Sequence, residues 1–305
     1  MSFFRWLFGP SHVPAATPTV KAPVAIEDVP PFIMIEGRPI LLDSPYILPK
    51  DAQESNRLDL QHFLLRTVFH GNYSVPLAEP AYILDVGCGS GRWGIEMAQE
   101  FSQASVIGCD ILEQDAGVRI SHPLNYRFMQ ADVLKGLHFP DQSFDFVHQR
   151  LLFLALPESA WPNVVRELVR VTRPGGWVEL LESQICSENM GPATTRTAEW
   201  AMQLTRQRGI EAAQVRNLAE DLRLAGLTNI TTRRIAIPIG HWGGRVGQMM
   251  QTDAYAAVTA MKPLITSRLN INPEEFDHVM SMVADEAMRM HMALPFTLTY
   301  GQRPL

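Results

Sequence analysis

The segment 83–94 combines residue types that suit the binding of a small charged molecule. It begins with the apolar run Ile-Leu-Asp-Val, which is typical of a buried strand, and continues with Gly87, Gly89 and Gly91. Glycines permit a tight turn and let a ligand approach backbone N–H groups, and the N-terminus of a following helix favours a negative group such as a carboxylate. The segment therefore predicts a strand, a glycine-rich turn and a helix that together hold a charged ligand.

A nucleotide is one class of ligand that fits this turn. Residues 89–94 satisfy the pattern G-x-G-x-x-G, and Asp110 follows about 20 residues later at the end of the second predicted strand. This pattern and spacing are also found in dinucleotide-binding oxidoreductases. A nicotinamide-dependent oxidoreductase is therefore one hypothesis, and the rest of the chain has to decide it.

Two aspartates end neighbouring predicted strands. Asp110 is placed so that its carboxylate can accept hydrogen bonds from both hydroxyls of a ribose, and the alternative is that it caps the next helix. Asp132 ends the third strand, where a carboxylate can accept from an adenine amine, and the alternative is a turn-forming aspartate. Because the carboxyl ends of parallel strands meet at one edge of a sheet, we expect the turn and both carboxylates to share one crevice.

The chain after Pro80 alternates short apolar runs with helical segments, which is typical of a parallel sheet with helices on both faces. We predict an α/β fold with a doubly wound, seven-stranded sheet, in which the last strand pairs antiparallel with the sixth. The predicted strands are residues 82–86, 105–109, 126–130, 144–148, 176–181, 228–237 and 294–300.

Two later segments favour one hypothesis. The strand Phe-Asp-Phe-Val-His-Gln-Arg at 144–150 is followed by a helix and by the turn Arg-Pro-Gly-Gly at 173–176. With the glycine turn and the two aspartates, this order of motifs over residues 82–182, with a similar closing strand at 296–302, resembles the class I S-adenosylmethionine-dependent methyltransferases. The stretch Tyr-Ile-Leu-Pro-Lys-Asp from position 46, with Arg-Leu-Asp-Leu-Gln-His from position 57, is similar to the LaeA-like (UMTA-type) branch, which is associated with secondary metabolism.

The resemblance implies a Rossmann-like fold and S-adenosylmethionine as cofactor. It implies these roles: Gly87, Gly89 and Gly91 against the methionine and ribose, Asp110 on the ribose, Ile111 on the adenine, Asp132 and Val133 at the adenine edge, Gln149 near the methionine tail, and Tyr46, Arg57 and Gln61 closing the site. Asp85 would orient the turn, or reach the ammonium group of the cofactor through its backbone or a water molecule. Arg57 would pair with the cofactor carboxylate, and a salt bridge on the helix surface is the alternative.

Methyl transfer from a sulfonium needs mainly the alignment of a nucleophile with the methyl group, so a general base is not obligatory. His148 is the candidate base, because it lies at the end of the fourth strand, where acceptor and cofactor would meet. The alternative is a buried, hydrogen-bonded and inert histidine. No metal site is expected.

We predict an N-terminal extension at 1–45 and a methyltransferase domain at 46–305. The extension contains an extended or disordered arm at 10–31 and a short hairpin at 32–42, and a helix at about 52–69 opens the domain.

A helical insertion at about 240–292 is expected to lie over the active site. Its two predicted helices, 246–261 and 273–292, hold an unusual number of methionines: Met249, Met250, Met261, Met280, Met282, Met288, Met290 and Met292. Methionine adapts to irregular apolar shapes, so these helices could receive an apolar acceptor; the alternative is a helical hairpin that only packs.

Composition argues against several classes of partner. The 305 residues carry a formal net charge of −6 and no basic cluster, so a nucleic-acid partner is not expected. The cysteines, Cys88, Cys109 and Cys186, have neither metal-binding nor disulfide spacing, which suits the cytoplasm. No stretch approaches the roughly 20 apolar residues of a membrane span, and the apolar start at 1–8 is too short for a signal peptide, so we expect no stable membrane insertion.

We therefore expect an S-adenosylmethionine-dependent methyltransferase that acts on a small-molecule acceptor, an apolar or aromatic metabolite methylated at oxygen, nitrogen or carbon. The alternative is a protein methyltransferase, or a cofactor-binding regulator of secondary metabolism that works through partner proteins. The dinucleotide oxidoreductase is the third hypothesis.

Overall fold

The computed structural model describes residues 31–41, 46–112, 122–211 and 217–305. Our expectations for the apolar start and for the arm, apart from Pro31, lie outside the described residues. The hairpin is present, because Phe32–Ile35 (β1) pairs antiparallel with Arg38–Leu41 (β2). The division of the chain at residue 45 stays a prediction.

The predicted doubly wound sheet of seven strands is confirmed. Its strands are Tyr82–Val86 (β3), Ser105–Asp110 (β4), Tyr126–Gln130 (β5), Phe144–Arg150 (β6), Thr172–Glu182 (β7), Thr228–Pro238 (β8) and Ala293–Gln302 (β9). Their order is β5-β4-β3-β6-β7-β9-β8. Strand β9 is antiparallel to both β7 and β8, as expected for the closing strand, and the strands from β3 to β7 are parallel.

The central parallel strands of the sheet are buried on both faces, which explains their apolar residues, whereas the edge strand β8 is mostly exposed. All five residues of β3 are buried. One face packs in a core that includes Leu84, Val147 and Leu168, and the other in a core that includes Trp93 and Phe146. The strand order changes direction between β3 and β6, and in open parallel sheets ligands bind at the carboxyl ends of strands where this happens.

Eight helices are present in the described chain: Ala52–Phe69 (α1), Arg92–Glu100 (α2), Trp161–Val171 (α3), Pro192–Arg206 (α4), Leu218–Leu224 (α5), Gly244–Ala260 (α6), Lys262–Leu269 (α7) and Pro273–Arg289 (α8). Helices α2 and α3 are the crossover helices that the sequence predicted. Helix α1 has the predicted bounds.

The insertion between β8 and β9 has three helices, where we expected two. Helix α6 ends at Ala260 and α7 starts at Lys262, with Pro263 in its first turn. Proline lacks the N–H that a continuing helix needs, so the chain turns there. Helix α8 ends at Arg289, three residues earlier than predicted, because Ala293 already pairs with Pro238 in the sheet.

Helix α1 is fixed at its N-terminus by the hairpin. Asp51 caps the helix by accepting a hydrogen bond from the Glu54 N–H, at 2.9 Å. Arg38 of β2 donates two hydrogen bonds to the same Asp51 carboxylate, at 2.7 and 2.9 Å. The helix therefore starts at a defined position beside the carboxyl ends of the strands. Among the helices of the described chain, none has the length and apolarity needed to cross a membrane.

Candidate active site

A cavity of about 420 Å³ lies at the carboxyl ends of the parallel strands. Its walls are formed by the residues that follow β3, β4, β5, β6 and β7, by α1, and by α4, α6 and α8. The cavity is therefore in the crevice where the sequence placed the glycine turn and the two aspartates.

The glycine turn forms one wall through Gly87, Cys88, Gly89 and Ser90. Gly87 and Gly89 have φ values of +70° and +52°, in the left-handed region that favours glycine. A Cβ on Gly87 would lie 2.6 Å from a methyl carbon of Leu152, so the close approach of the next loop also requires glycine. The predicted role of Gly91 needs correction. It precedes α2 with a φ of +76° and is not among the described residues that line the cavity.

Asp110 faces the cavity from the end of β4, with Ile111 beside it. Its Oδ2 accepts a hydrogen bond from the Gly89 N–H at 2.9 Å, and its Oδ1 accepts one from the Leu112 N–H at 3.1 Å. Burial raises the pKa of the Asp110 carboxyl, and these two amides oppose that rise. Asp110 therefore ties the glycine turn to β4 as well as lining the cavity.

Asp132 and Val133 line the same cavity after β5. The Asp132 Oδ1 accepts a hydrogen bond from the Leu134 N–H at 3.0 Å, which caps a short 3-10 helix. The turn-forming role that we gave as the alternative for Asp132 is thus present in the structure. Its other oxygen, Oδ2, is not used in that bond, and it lies 4.0 Å from Lys135 Nζ.

Arg57 lines the cavity, but its side chain is held by two carboxylates of the protein. Its Nε and Nη2 donate to Glu54 at 2.9 and 2.6 Å, and its Nη1 donates to Asp253 of α6 at 2.7 Å. Arg57 is 7% exposed, so this is a buried network and not a salt bridge on the helix surface. We therefore correct the assignment of Arg57 to the cofactor carboxylate.

Tyr46 and Gln61 line the cavity beside Arg57, and with Arg57 and Asp253 they form the side of the cavity that we call its roof. Gln61 donates to the other oxygen of Asp253 at 3.1 Å. The Tyr46 hydroxyl lies 3.5 Å from Glu54 Oε1, and burial raises its pKa well above the usual value. These contacts join α1 to the insertion above the glycine turn.

The structure places His148 in the core and away from the cavity, which favours the alternative of a buried, hydrogen-bonded histidine over its assignment as the base. It is 2% exposed, its ring stacks on that of Trp93 with a centroid separation of 3.9 Å, and its Nδ1 lies 3.0 Å from Asp85 Oδ1. Burial lowers the pKa of His148, and Asp85 opposes that change. Neither His148 nor Asp85 is among the described residues that line the cavity. Asp85 therefore supports His148 in the core.

Gln149 also needs correction. Its neighbours on either side in the sheet are Val86 and Leu180, and it is completely buried. Along β6, the residue that lines the cavity is the next one, Arg150. Alternation along a strand predicts which side chains share a face, but it does not predict how far along the strand the ligand crevice begins.

Two polar residues near the turn, Asp59 and Arg150, have roles that the sequence did not predict. Asp59 of α1 accepts hydrogen bonds from Ser90 Oγ at 2.7 Å and from Arg92 Nη2 at 2.6 Å, which fixes α1 against the turn. Arg150, at the end of β6, lines the cavity. Both lie within segments that carried the family resemblance, so the segments were recognised while the individual roles were not.

A further part of the cavity wall is apolar. It is supplied by side chains of α4, α6 and α8 and by Met261, which lies between α6 and α7. The residues include Ala198, Ala201, Ala254, Ala257, Val258, Met261, Met280, Val283, Ala284 and Ala287. Of the insertion's eight methionines, four line the cavity: Met250, Met261, Met280 and Met292. By contrast, Met282, Met288 and Met290 are exposed. The insertion therefore both packs against the domain and encloses part of the cavity.

Comparison with known proteins agrees with this architecture. The family model described as "Methyltransferase domain" matches residues 83–176. The chain is 28% identical over 276 residues to Methyltransferase pytC of Aspergillus terreus, covering 85% of this chain and 83% of that protein. It is 30% identical over 207 residues to Protein-methionine methyltransferase laeA of Emericella nidulans, covering 65% of this chain and 54% of that longer protein.

The fold is also found in a solved structure. Phosphoethanolamine N-methyltransferase 2 of Haemonchus contortus, in complex with S-adenosyl-L-methionine, matches with a TM-score of 0.50 and 13% identity, over 86% of this chain and 54% of that one. The chain therefore contains a methyltransferase domain, has a seven-stranded sheet closed by an antiparallel last strand, and is similar in sequence to S-adenosylmethionine-dependent methyltransferases, including LaeA-like proteins.

Proposed function

We propose that the protein transfers the methyl group of S-adenosylmethionine to a small, apolar or aromatic metabolite, at an oxygen, nitrogen or carbon atom. The observation that carries this proposal is the continuity of the cavity. The same cavity is lined by the glycine turn and Asp110 on one side and by the apolar side chains of α4, α6 and α8 on the other. A cofactor and an acceptor can therefore meet inside one enclosure.

The cavity wall suits the cofactor. The turn at Gly87 and Gly89 offers backbone that a side chain would otherwise cover, Asp110 supplies acceptors for ribose hydroxyls, and Asp132 supplies acceptors for the adenine amine. We assign Ile111 and Val133 to the faces and edge of the adenine. When bound, the cofactor supplies an activated methyl group on a sulfonium.

The chain's own contribution to the reaction is alignment and exclusion of water. The roof formed by Tyr46, Arg57 and Asp253 covers the turn, and the insertion covers the acceptor side. With His148 in the core, we assign no histidine base. A neutral amine or a thiolate would need only to be positioned, whereas a hydroxyl or an enolisable carbon would also need a group or a water molecule that takes up its proton.

The apolar wall carries the proposal for the acceptor. Pockets for small molecules are typically lined by apolar side chains with a few polar groups that orient the ligand. Polar side chains on this wall include Gln184, Ser187, Thr194 and Thr197. Flexible methionines such as Met261 and Met280 can adjust to the shape of an apolar ligand.

A protein acceptor is the second candidate, and the similarity to Protein-methionine methyltransferase laeA favours it. A protein acceptor has to insert one side chain into the cavity while its backbone stays outside. The apolar side chains of α4, α6 and α8 form a larger surface than one inserted side chain could cover. We therefore favour a small molecule that enters the cavity as a whole. We place the activity in the cytoplasm, which the three free cysteines support, and assign it no nucleic-acid partner.

The experiment is to incubate the purified protein with cofactor labelled in the methyl group and with an extract of metabolites and proteins. We expect the label in the solvent-extractable fraction and not in precipitated protein. Asp110→Ala serves as the inactive control. Label that enters only precipitated protein would support the second candidate and contradict the first.

A further inference from the structure

Arg150 is a cavity-lining arginine, and most N–H donors of its guanidinium make no hydrogen bond to the described residues. It is the last residue of β6, it lines the cavity, and its Nη2 donates to His62 Nδ1 at 3.1 Å. Among the described residues, this is the single hydrogen bond that its guanidinium makes. By contrast, Arg38, Arg57 and Arg92 each donate to a carboxylate at less than 3 Å.

The partner of Arg150 is a neutral histidine. Burial and the nearby Arg150 lower the pKa of His62 to about 4, and the side chain is 0% exposed. Because a guanidinium can only donate, Nδ1 of the neutral ring accepts from Arg150, and the ring proton is on Nε2, which lies 3.1 Å from Glu96 Oε2. His62 therefore orients the guanidinium without neutralising its charge.

The charged guanidinium of Arg150 is largely removed from solvent. Burial lowers the pKa of its guanidinium, and the carboxylates of Asp85, Glu96 and Asp59 lie near enough to oppose that change without bonding to it. A desolvated charge without a bonded counter-ion is costly, and guanidinium groups bind carboxylates through two parallel hydrogen bonds. An anionic group bound in the cavity would satisfy the free donors.

We propose that Arg150 binds the carboxylate of the cofactor's methionine portion, and that His62 and Glu96 act as positioning residues for it. The proposal rests on the proposed function, because it assigns a part of the same cofactor. It also accounts for the position of Arg57, which the protein's own carboxylates hold in the roof. The two arginines thus have separate roles, one structural and one in binding.

The test compares two ligands that differ only in this carboxylate, S-adenosylmethionine and decarboxylated S-adenosylmethionine, by titration calorimetry. A charge-assisted pair of this kind is worth about ten- to a hundredfold in affinity, so the wild type should prefer the carboxylated ligand by about that factor. In Arg150→Met the affinity for S-adenosylmethionine should fall by the same factor, while that for the decarboxylated ligand stays within about twofold. Arg196→Met, at an exposed ion pair of α4, is the matched control and should keep the wild-type preference.

Retention of the full preference in Arg150→Met would overturn the assignment. If that variant does not fold, Arg150→Lys keeps the charge but loses the two-pronged geometry, and its preference should be smaller than that of the wild type; an unchanged preference would count against the proposal. Failure of the wild type to bind either ligand would overturn the proposed function and the assignment together.

The positioning role of His62 has its own readout. His62→Ala should reduce the preference for the carboxylated ligand, and His62→Gln, which can accept from Arg150 and donate towards Glu96, should restore part of it. A purely structural role would weaken the binding of both ligands by the same factor. Equal weakening would therefore contradict the positioning role.

Discussion

Arg57 and Asp253 are 196 positions apart in the chain, and their side chains form a buried ion pair with an Nη1 to Oδ1 distance of 2.7 Å. Arg57 lies on α1 and Asp253 on α6, so the pair joins the helix before the glycine turn to the insertion. Glu54 holds the other edge of the same guanidinium. This network forms a roof over the cavity from two parts of the chain that are distant in sequence.

Removing one side of the pair should destabilise the fold strongly. Asp253→Ala leaves Arg57 buried with one carboxylate partner lost, and breaking a buried pair in this way typically costs about 3–5 kcal/mol. Equilibrium unfolding in urea measures the loss. The control is Asp277→Ala, which breaks an exposed pair with Lys262 and should cost about 0–1 kcal/mol. Equal losses in both variants would contradict a structural role for the roof pair.

Asp110 should be required for cofactor binding. If its carboxylate accepts from ribose hydroxyls, Asp110→Ala loses hydrogen bonds to a charged group worth about 1.5–3 kcal/mol each, so the affinity for S-adenosylhomocysteine should fall by about a hundredfold or more. Calorimetry measures the affinity, and circular dichroism checks that the fold persists. Asp141→Ala removes an exposed carboxylate that pairs with Arg170, and it should bind normally. An unchanged affinity in Asp110→Ala would remove the ribose from this position.

His148 should affect stability and not the protonation steps of catalysis. His148→Ala removes the ring stacked on Trp93 and leaves Asp85 buried without its partner, which should cost about 2–5 kcal/mol of unfolding free energy. The pH dependence of kcat should keep the wild-type shape at temperatures where the variant is folded. Loss of one limb of that pH profile would show that His148 is a base after all.

His62 should contribute a loss of stability as the pH falls from about 6.5 to about 4. Its pKa is about 4 in the folded state and about 6.5 when unfolded, so the unfolded chain binds the proton first and acid favours unfolding. Integrated over this range, the effect is on the order of 3 kcal/mol. Unfolding titrations at several pH values measure it.

The buried Glu179 and Glu182 produce the opposite slope, because burial raises their pKa values to about 7 and about 8, and the folded state then loses stability as the pH rises towards those values. The informative quantity is therefore the difference between the wild type and His62→Gln at each pH, in which the glutamates cancel. Replacement of the exposed His278 by Gln should leave the wild-type curve unchanged. The same curve for His62→Gln and the wild type would refute the assignment of this slope to His62.

Much of the fold was predictable because the signals are local. Buried parallel strands require uninterrupted apolar residues, and each of the seven predicted strands overlaps one in the structure. The glycine turn could be located because positive φ values at Gly87 and Gly89 restrict the residue type. The helices α4 and α5 were not predicted: α5 is only seven residues long, too short for a helical period to be seen.

The sequence by itself determined that a glycine turn, Asp110 and Asp132 meet at the carboxyl ends of parallel strands, because strand direction and residue order require it. Only the tertiary structure decided which arginine faces the cavity with open donors. Arg57 is held by Asp253 and Arg150 meets His62, at sequence separations of 196 and 88 residues. Pairs of this kind depend on how helices pack on the sheet, a distance in space that no local pattern of residues encodes.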